Sequence, residues 1–280
     1  MDDPAGDRPL TGVPAALVPD GLDATLVLVR HGESTFIAEH RFQGRADAPL
    51  TPRGVRQADL VGARLATPHA APSLPVPGGP LVDLVHSPLG RAARTAEAIA
   101  RALAAAGTVV PTRADAGFAE IGQGTWEGLH RDEVAARFGA ELAAWRRAPL
   151  EAWAPGGESL PDVQARVRPA LATVLDRLAA GRSPGTHDRP QVAGYADSRP
   201  DHPWSILVGH DGVFKVTLLT LFDLPLDRFW MWSMDLCAIT VVELRSGRPV
   251  LRAHDLTAHL AALEEVLPAA ADDARAAGAL

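Results

Sequence analysis

Two kinds of hydrophobic pattern alternate along this chain. Thr25 to Val29 (TLVLV) is a continuous apolar run, the pattern of a strand buried on both faces of a parallel sheet. Thr51-Pro52 then reads as a helix start, with proline in the first turn where its missing N–H costs nothing. Val55, Ala58, Val61 and Leu65 recur on one face of that helix. A Pro/Gly loop from His69 to Pro80 leads into a second strand, Leu81 to Val85. Ser87-Pro88 repeats the cap-then-proline form and predicts a helix lined by Ala92, Ala96, Ile99 and Leu103. A long amphipathic helix carrying Val163, Val167, Leu171, Val174 and Leu178 follows a PGGES turn. Further strands are expected at Ser205–Val208, Ala238–Leu244 and Pro249–Ala253, with a helix after the first of them (GVFKVTLLTLF). Strands alternating with helices predict an α/β layer sandwich without a clean internal boundary.

The flanks and one interior stretch break this rhythm. Residues 1–22 are rich in Pro, Gly and Asp and read as a mobile tail before a domain spanning 23–265. Gly181 to Pro203 reads as a long surface loop or disordered insert, and 266–280 as a terminal helix or tail.

Composition narrows the function classes. The net charge of −7 argues against a broad nucleic-acid footprint, so a bound anion must be held by a local arginine cluster. Lys215 is the only lysine, and no G-x-x-x-x-G-K-[ST] stretch is present. A single cysteine, Cys237, excludes a disulfide framework and a cysteine zinc site. The acidic start and the lack of a long apolar run predict a cytoplasmic protein with no membrane partner.

The chemistry is concentrated at strand ends. TLVLV runs into Arg30-His31-Gly32-Glu33, and SILV runs into Gly209-His210-Asp211-Gly212. Each places a histidine past the carboxyl end of a buried strand, where open α/β sheets bind ligands. A nearby glycine lets backbone N–H groups approach an anion, and the helix after His210 offers its N-terminus to negative charge. Arg91, in the first turn of a helix after another strand, joins Arg30 as a second guanidinium suited to bidentate phosphate contacts. Glu120 lies in a glycine-rich loop, FAEIGQGTWEGL. Two histidines, two arginines and one glutamate form a set able to transfer a phosphoryl group without a metal.

The chain resembles the histidine phosphatase superfamily, the phosphoglycerate-mutase-like fold. LVLVRHGEST, RFQGRADAPLTPRGVRQA, SPLGRAARTAEAIA, EIGQGTWEG, PGGESLPDVQARV and LVGHDGV match its motifs in order, over about residues 24–262. The resemblance implies a three-layer α/β/α sandwich with a mostly parallel central sheet. It makes His31 the nucleophile, Glu120 the proton donor, and Arg30, Arg91 and His210, if protonated, the ligands of the phosphoryl oxygens. Gly32, Gln43, Gly44 and Asp211 fall in the phosphate-binding segments. No cofactor or metal is implied.

Two positions depart from the family pattern. Ile37 stands where asparagine is usual, and Asp211 where glycine or asparagine is usual. Asp211 reads as a cap of the next helix rather than as a group orienting His210.

Other residues are set aside. His40, His69, His130, His187 and His202 read as solvated, and His86 as structural. His254, Asp255 and His259 lack the spacing of a metal site. Trp126, Trp145 and Trp153, in the expected substrate cover (about 117–160), read as core as readily as ligand contacts. Arg146-Arg147 reads as a solvated face, and Phe229, Trp230 and Trp232 are candidates for a homodimer contact.

The leading expectation is a phosphatase acting on a small phosphorylated metabolite through a phosphohistidine. The alternatives are a phosphoglycerate-mutase-type transferase or a non-catalytic member of the fold that binds a phosphate ligand. EIGQGTWEG resembles the phosphatase branch more than the mutase branch, whose acid loop typically reads ERHYG.

Overall fold

The computed structural model describes residues 16–181 and 201–264. Most of the expected insert, with His187, and all of the expected terminal segment 266–280 lie outside the described residues. The first half of the chain forms β1 (Ala24–Arg30), α1 (Thr35–Ala38), α2 (Pro52–Ala66), β2 (Leu81–His86), α3 (Gly90–Ala105) and β3 (Thr112–Ala114). Next come α4 (Arg131–Arg137), α5 (Gly139–Arg147) and α6 (Leu160–Ala180). The last part forms β4 (Trp204–Gly209), α7 (Asp211–Leu221), β5 (Ile239–Arg245), β6 (Arg248–Leu256) and α8 (Ala261–Glu264).

The six strands make one sheet in the order β3-β2-β4-β1-β5-β6. β3, β2, β4 and β1 run parallel, and β5 runs antiparallel to β1. β1 explains the continuous apolar run. Leu26 and Leu28 face a core built with Val167 and Leu171 of α6 and Val213 and Phe214 of α7. Val27 and Val29 face a second core with Val61 and Leu65 of α2 and Ala96 and Ile99 of α3. Helices on both faces make a three-layer sandwich, and each fully buried Val, Leu or Ile contributes about 1.5–3 kcal/mol. Gly62 of α2 lets that helix lie close to α3, since a Cβ there would meet the Ala98 carbonyl at 3.0 Å.

Local signals set several helix starts. The Thr51 hydroxyl accepts the Gly54 N–H at 3.0 Å, with Pro52 in the first turn of α2. Ser159 and Asp162 form a reciprocal capping box on α6. Ser87-Pro88 does not start α3, which begins at Gly90 after Leu89 with no side-chain cap. The packed chain also begins before residue 23: Leu22 is buried, and Leu17 and Val18 pack against the core. Among the described residues no helix is long and apolar enough to cross a membrane.

The pairing of β1 with β4 decides where chemistry can occur. The strands are adjacent and parallel, with Arg30 opposite Gly209. The two turns at their carboxyl ends therefore leave the sheet side by side, and the His31 N–H donates to the Gly209 carbonyl at 2.9 Å.

Candidate active site

His31 and His210 are both buried, with ring centroids 5.0 Å apart. His31 Nδ1 lies 2.6 Å from the Gly32 carbonyl oxygen. A carbonyl only accepts, so Nδ1 carries the hydrogen and Nε2 keeps its lone pair. That lone pair accepts from Arg91 Nε at 3.3 Å. Burial, together with Arg91 and Arg30, holds the ring well below its ordinary value of 6.5, so it is neutral at pH 7.

Arg91, buried in the first turn of α3, is fixed by the loop after α1. Its Nη2 donates to the Gly44 carbonyl at 2.7 Å and its Nη1 to Ala46 at 3.1 Å. Burial lowers it to about 10, which leaves it charged at neutral pH. Arg30 donates Nη1 to the Met234 carbonyl, while its buried Nε has no partner among the described residues. His210 Nε2 lies 2.7 Å from the Ser87 hydroxyl, and its buried Nδ1 is likewise unpartnered. Burial and the positive charges of Arg91, Arg30 and Arg166 hold His210 well below 6.5. The ring is therefore neutral at pH 7 in the absence of a bound anion. Ser87 escaped sequence reading because Ser87-Pro88 looked like a helix cap.

Glu120 occupies the place where an anion was expected. The N-terminus of α7 points its Val213 N–H at Glu120 Oε1 (2.9 Å) and its Gly212 N–H at Oε2 (3.2 Å). The Ile121 N–H adds a third bond at 2.9 Å. Burial pushes this carboxyl above its ordinary value, and Asp211 adds to the push; the backbone donors and Arg91 pull against it. Gly212 is needed for the approach, because a Cβ there would meet Glu120 Oε1 at 2.8 Å.

The remaining sequence candidates surround this centre with most of their polar groups engaged, Asp211 Oδ1 being a buried oxygen without a partner among the described residues. Gly32 gives its N–H to Thr95 Oγ1 at 3.1 Å, and a Cβ on it would strike the Gly54 carbonyl. Gln43 is buried, its Oε1 accepting from the Ser34 hydroxyl at 2.5 Å, and that hydroxyl in turn accepts the Ile37 N–H at 3.4 Å. Gly44 adopts φ +48, and a Cβ there would strike Glu127. Asp211 does not cap α7: His210 is the N-cap residue, without a side-chain bond, and Asp211 pairs with Lys215 Nζ at 2.7 Å. Lys215 in turn lies over the rings of Phe229 and Trp230.

The set-aside residues are mostly structural. Trp126 and Trp145 are buried and meet edge to face, whereas Trp153 is exposed. Phe229 is buried within the chain, and Trp230 and Trp232 pack partly against the core. His202 is not solvated; it is buried with Nε2 2.8 Å from Thr25 Oγ1. His130 caps α4, and His86 Nδ1 bonds the Ser87 carbonyl. His254 turns to Thr240 and His259 to the Cys237 carbonyl, and no metal-holding group of three His, Cys, Asp or Glu occurs among the described residues. A groove of about 600 Å³ lined by Leu142, Arg146 and Arg147 belongs to α4 and α5 and contains none of the groups around His31.

Comparison with known proteins decides the family. The model of the "Histidine phosphatase superfamily (branch 1)" matches residues 26–183 and 189–257. The chain belongs to the histidine phosphatase superfamily. Within it, the probable phosphoglycerate mutase GpmB of Klebsiella pneumoniae is 37% identical over 161 residues, 56% of this chain and 65% of that protein. The chain thus spans just under two thirds of that relative's length. Phosphoserine phosphatase 1 of Hydrogenobacter thermophilus is 28% identical over 84% of this chain and 93% of its own. Among solved structures, Bacillus stearothermophilus YhfR superposes with a TM-score of 0.66 at 28% identity, covering 85% of this chain and 99% of its own. A mycobacterial glucosyl-3-phosphoglycerate phosphatase, solved with VO3, gives 0.64 at 26% identity, covering 83% and 99%.

Proposed function

We propose that this superfamily member is a phosphomonoesterase that hydrolyses a small phosphorylated metabolite through a phosphohistidine on His31, without a metal. One observation carries the reading: the Nδ1–H bond to Gly32 leaves His31 Nε2 as a lone pair directed at the Arg91 guanidinium. In the first step Nε2 attacks phosphorus and the ester P–O bond breaks. Arg30 and Arg91 neutralise charge on the equatorial oxygens, and His210 gives them a ring N–H hydrogen bond. Glu120 gives its proton to the departing oxygen, and burial shifts its carboxyl upward, in the direction that favours the protonated form. In the second step the Glu120 carboxylate takes a proton from water, the water oxygen bonds phosphorus, and the N–P bond breaks. Gly32, Gln43, Gly44 and Asp211 shape the pocket around the phosphoryl group. Similarity to the phosphoserine and glucosyl-3-phosphoglycerate phosphatases, both matched over more than four fifths of this chain, favours hydrolysis. The 37% identity to GpmB favours a mutase as the second reading. A cytoplasmic setting, and a homodimer using the exposed edges of Trp230 and Trp232, complete the proposal.

Hydrolysis of 4-nitrophenyl phosphate should proceed fully in EDTA, and activity that returns only with added magnesium or zinc refutes the metal-free chemistry. A turnover screen of phosphate esters, with and without a phosphoglycerate acceptor, separates hydrolysis from transfer. Glu120→Gln should lose about 10²–10⁴-fold on a poor leaving group and far less on nitrophenolate.

A further inference from the structure

Glu120 hangs from a loop with little regular structure, and side chains remote in sequence fix that loop. The Glu120 carbonyl oxygen accepts from Arg166 Nη2 at 3.0 Å and from Arg45 Nε at 3.1 Å. Arg166, on α6, also gives Nη1 to the Gly117 and Ala119 carbonyls, both at 2.8 Å. One guanidinium thus holds three carbonyls within four residues.

A carboxylate locks the two guanidiniums together. Glu158, in the PGGES turn, takes Arg166 Nε and Nη2, each at 3.0 Å, and Arg45 Nη2 at 2.6 Å. Its Oε2 also accepts the Gly122 N–H at 2.9 Å, and its own N–H donates to the Gly122 carbonyl at 2.8 Å. The acid loop is therefore gripped on both sides of Glu120. Glu158 and Arg166 are each only about one-fifth exposed, in a bidentate geometry unlike that of an ordinary surface pair. Burial works against the Glu158 charge, but Arg166 and the Gly122 N–H more than offset it.

We propose that Glu158 and Arg166 are positioning residues for proton transfer at Glu120, with the more exposed Arg45 closing the grip. The inference rests on Glu120 being the acid of the proposed hydrolysis. With the residue 120 carbonyl pinned, its side chain leaves the loop in one direction, toward the first turn of α7 and the histidine pair. Proton transfer depends on placement within a fraction of an ångström, and a shift of about 1 Å can cost about 10²-fold. In the step concerned, the Glu120 O–H bond breaks and its proton bonds the ester oxygen as the P–O bond breaks and the His31 N–P bond forms. Neither Glu158 nor Arg166 exchanges a proton.

Two substrates of similar size test this: benzyl phosphate, whose alkoxide needs the proton, and 4-nitrophenyl phosphate, whose phenolate hardly does. The readout is kcat/KM, which reports the step from free enzyme to phosphoenzyme. Glu158→Gln and Arg166→Lys should each lose about tenfold or more on benzyl phosphate and under about threefold on nitrophenyl phosphate. In a Glu120→Gln background, adding Glu158→Gln should cost benzyl phosphate less than about twofold more, because the positioned proton is already gone. Equal losses on both substrates, with Glu120→Gln alone showing the split, overturn the positioning role and leave the acid standing. No split for Glu120→Gln overturns both. Should Glu158→Gln not fold, Arg45→Met, which removes one donor to the Glu120 carbonyl, carries the same split at smaller size.

Discussion

The turns after β1 and β4 begin alike and end as different chemical devices. Both leave adjacent parallel strands, and both carry a buried histidine held neutral by burial and arginines. After β1 a short turn separates His31 from α1, and the Gly32 carbonyl takes the His31 Nδ1–H, which fixes the tautomer and frees Nε2. After β4 the chain enters α7 at once, and His210 meets a hydroxyl able to donate or accept. The α7 N-terminus is filled by the Glu120 carboxyl instead of being left for the phosphoryl group. The partner that each turn brings to its histidine therefore distinguishes the two rings. In the proposed mechanism the ring whose Nδ1–H meets a carbonyl is the nucleophile, and the ring at a helix start beside a hydroxyl binds the phosphoryl oxygens.

The sharpest way to break this contrast is substitution at both histidines. His31→Asn should abolish turnover, at least about 10⁴-fold, with no phosphoenzyme, because the attacking lone pair is lost. His210→Asn should cost about 10²–10³-fold and still form phosphoenzyme slowly, since it removes only charge stabilisation. Comparable losses with no phosphoenzyme in either variant would erase the distinction.

Stability separates the turns next, because only the β4 side carries the buried Asp211–Lys215 pair. Lys215→Met should destabilise the fold by about 3–5 kcal/mol by stranding Asp211, and Asp211→Asn with Lys215→Met should recover much of that loss. Denaturant melts of the single and double variants decide it.

A smaller effect belongs to both turns. The two rings are held below 6.5, so between that value and their folded values the unfolded chain binds more protons. Stability should therefore fall as pH drops below about 6.5, by up to about 1.4 kcal/mol per pH unit for each ring. Glu120, held above its ordinary value, acts in the opposite sense, so the informative comparison is between variants. Thermal melts at pH 5 and 7 should show a shallower loss in His210→Asn than in the parent chain; an equal loss would mean that His210 titrates normally.

Much of this arrangement is legible in the chain itself. The two-sided burial of β1 follows from TLVLV, and Thr51-Pro52 announces α2. His31, His210, Arg30, Arg91 and Glu120 are brought together because their strands are neighbours in the sheet or their loops meet it. The features that could not be read are those that long-range contacts decide. Ser87 sits before a proline like a cap, yet its hydroxyl serves His210, 123 residues away. Arg45 and Glu158 are separated by 113 residues, and only the fold makes them partners. β3 has three residues, too few for a period, and α4 is capped by His130, a residue type that capping preferences do not favour there. Gly32 and Gly212 look alike as anion-approach glycines, but the first makes room for the Gly54 carbonyl and the second for Glu120.

The most direct test of the central claim is a rapid quench of the parent enzyme with phosphoryl-labelled 4-nitrophenyl phosphate, then peptide mapping. The label should be base-stable and acid-labile, and it should map to His31 on Nε2, with Nδ1 unmodified. Label on His210, on Nδ1 of His31 or on a serine such as Ser87 would contradict the assignment of the nucleophile.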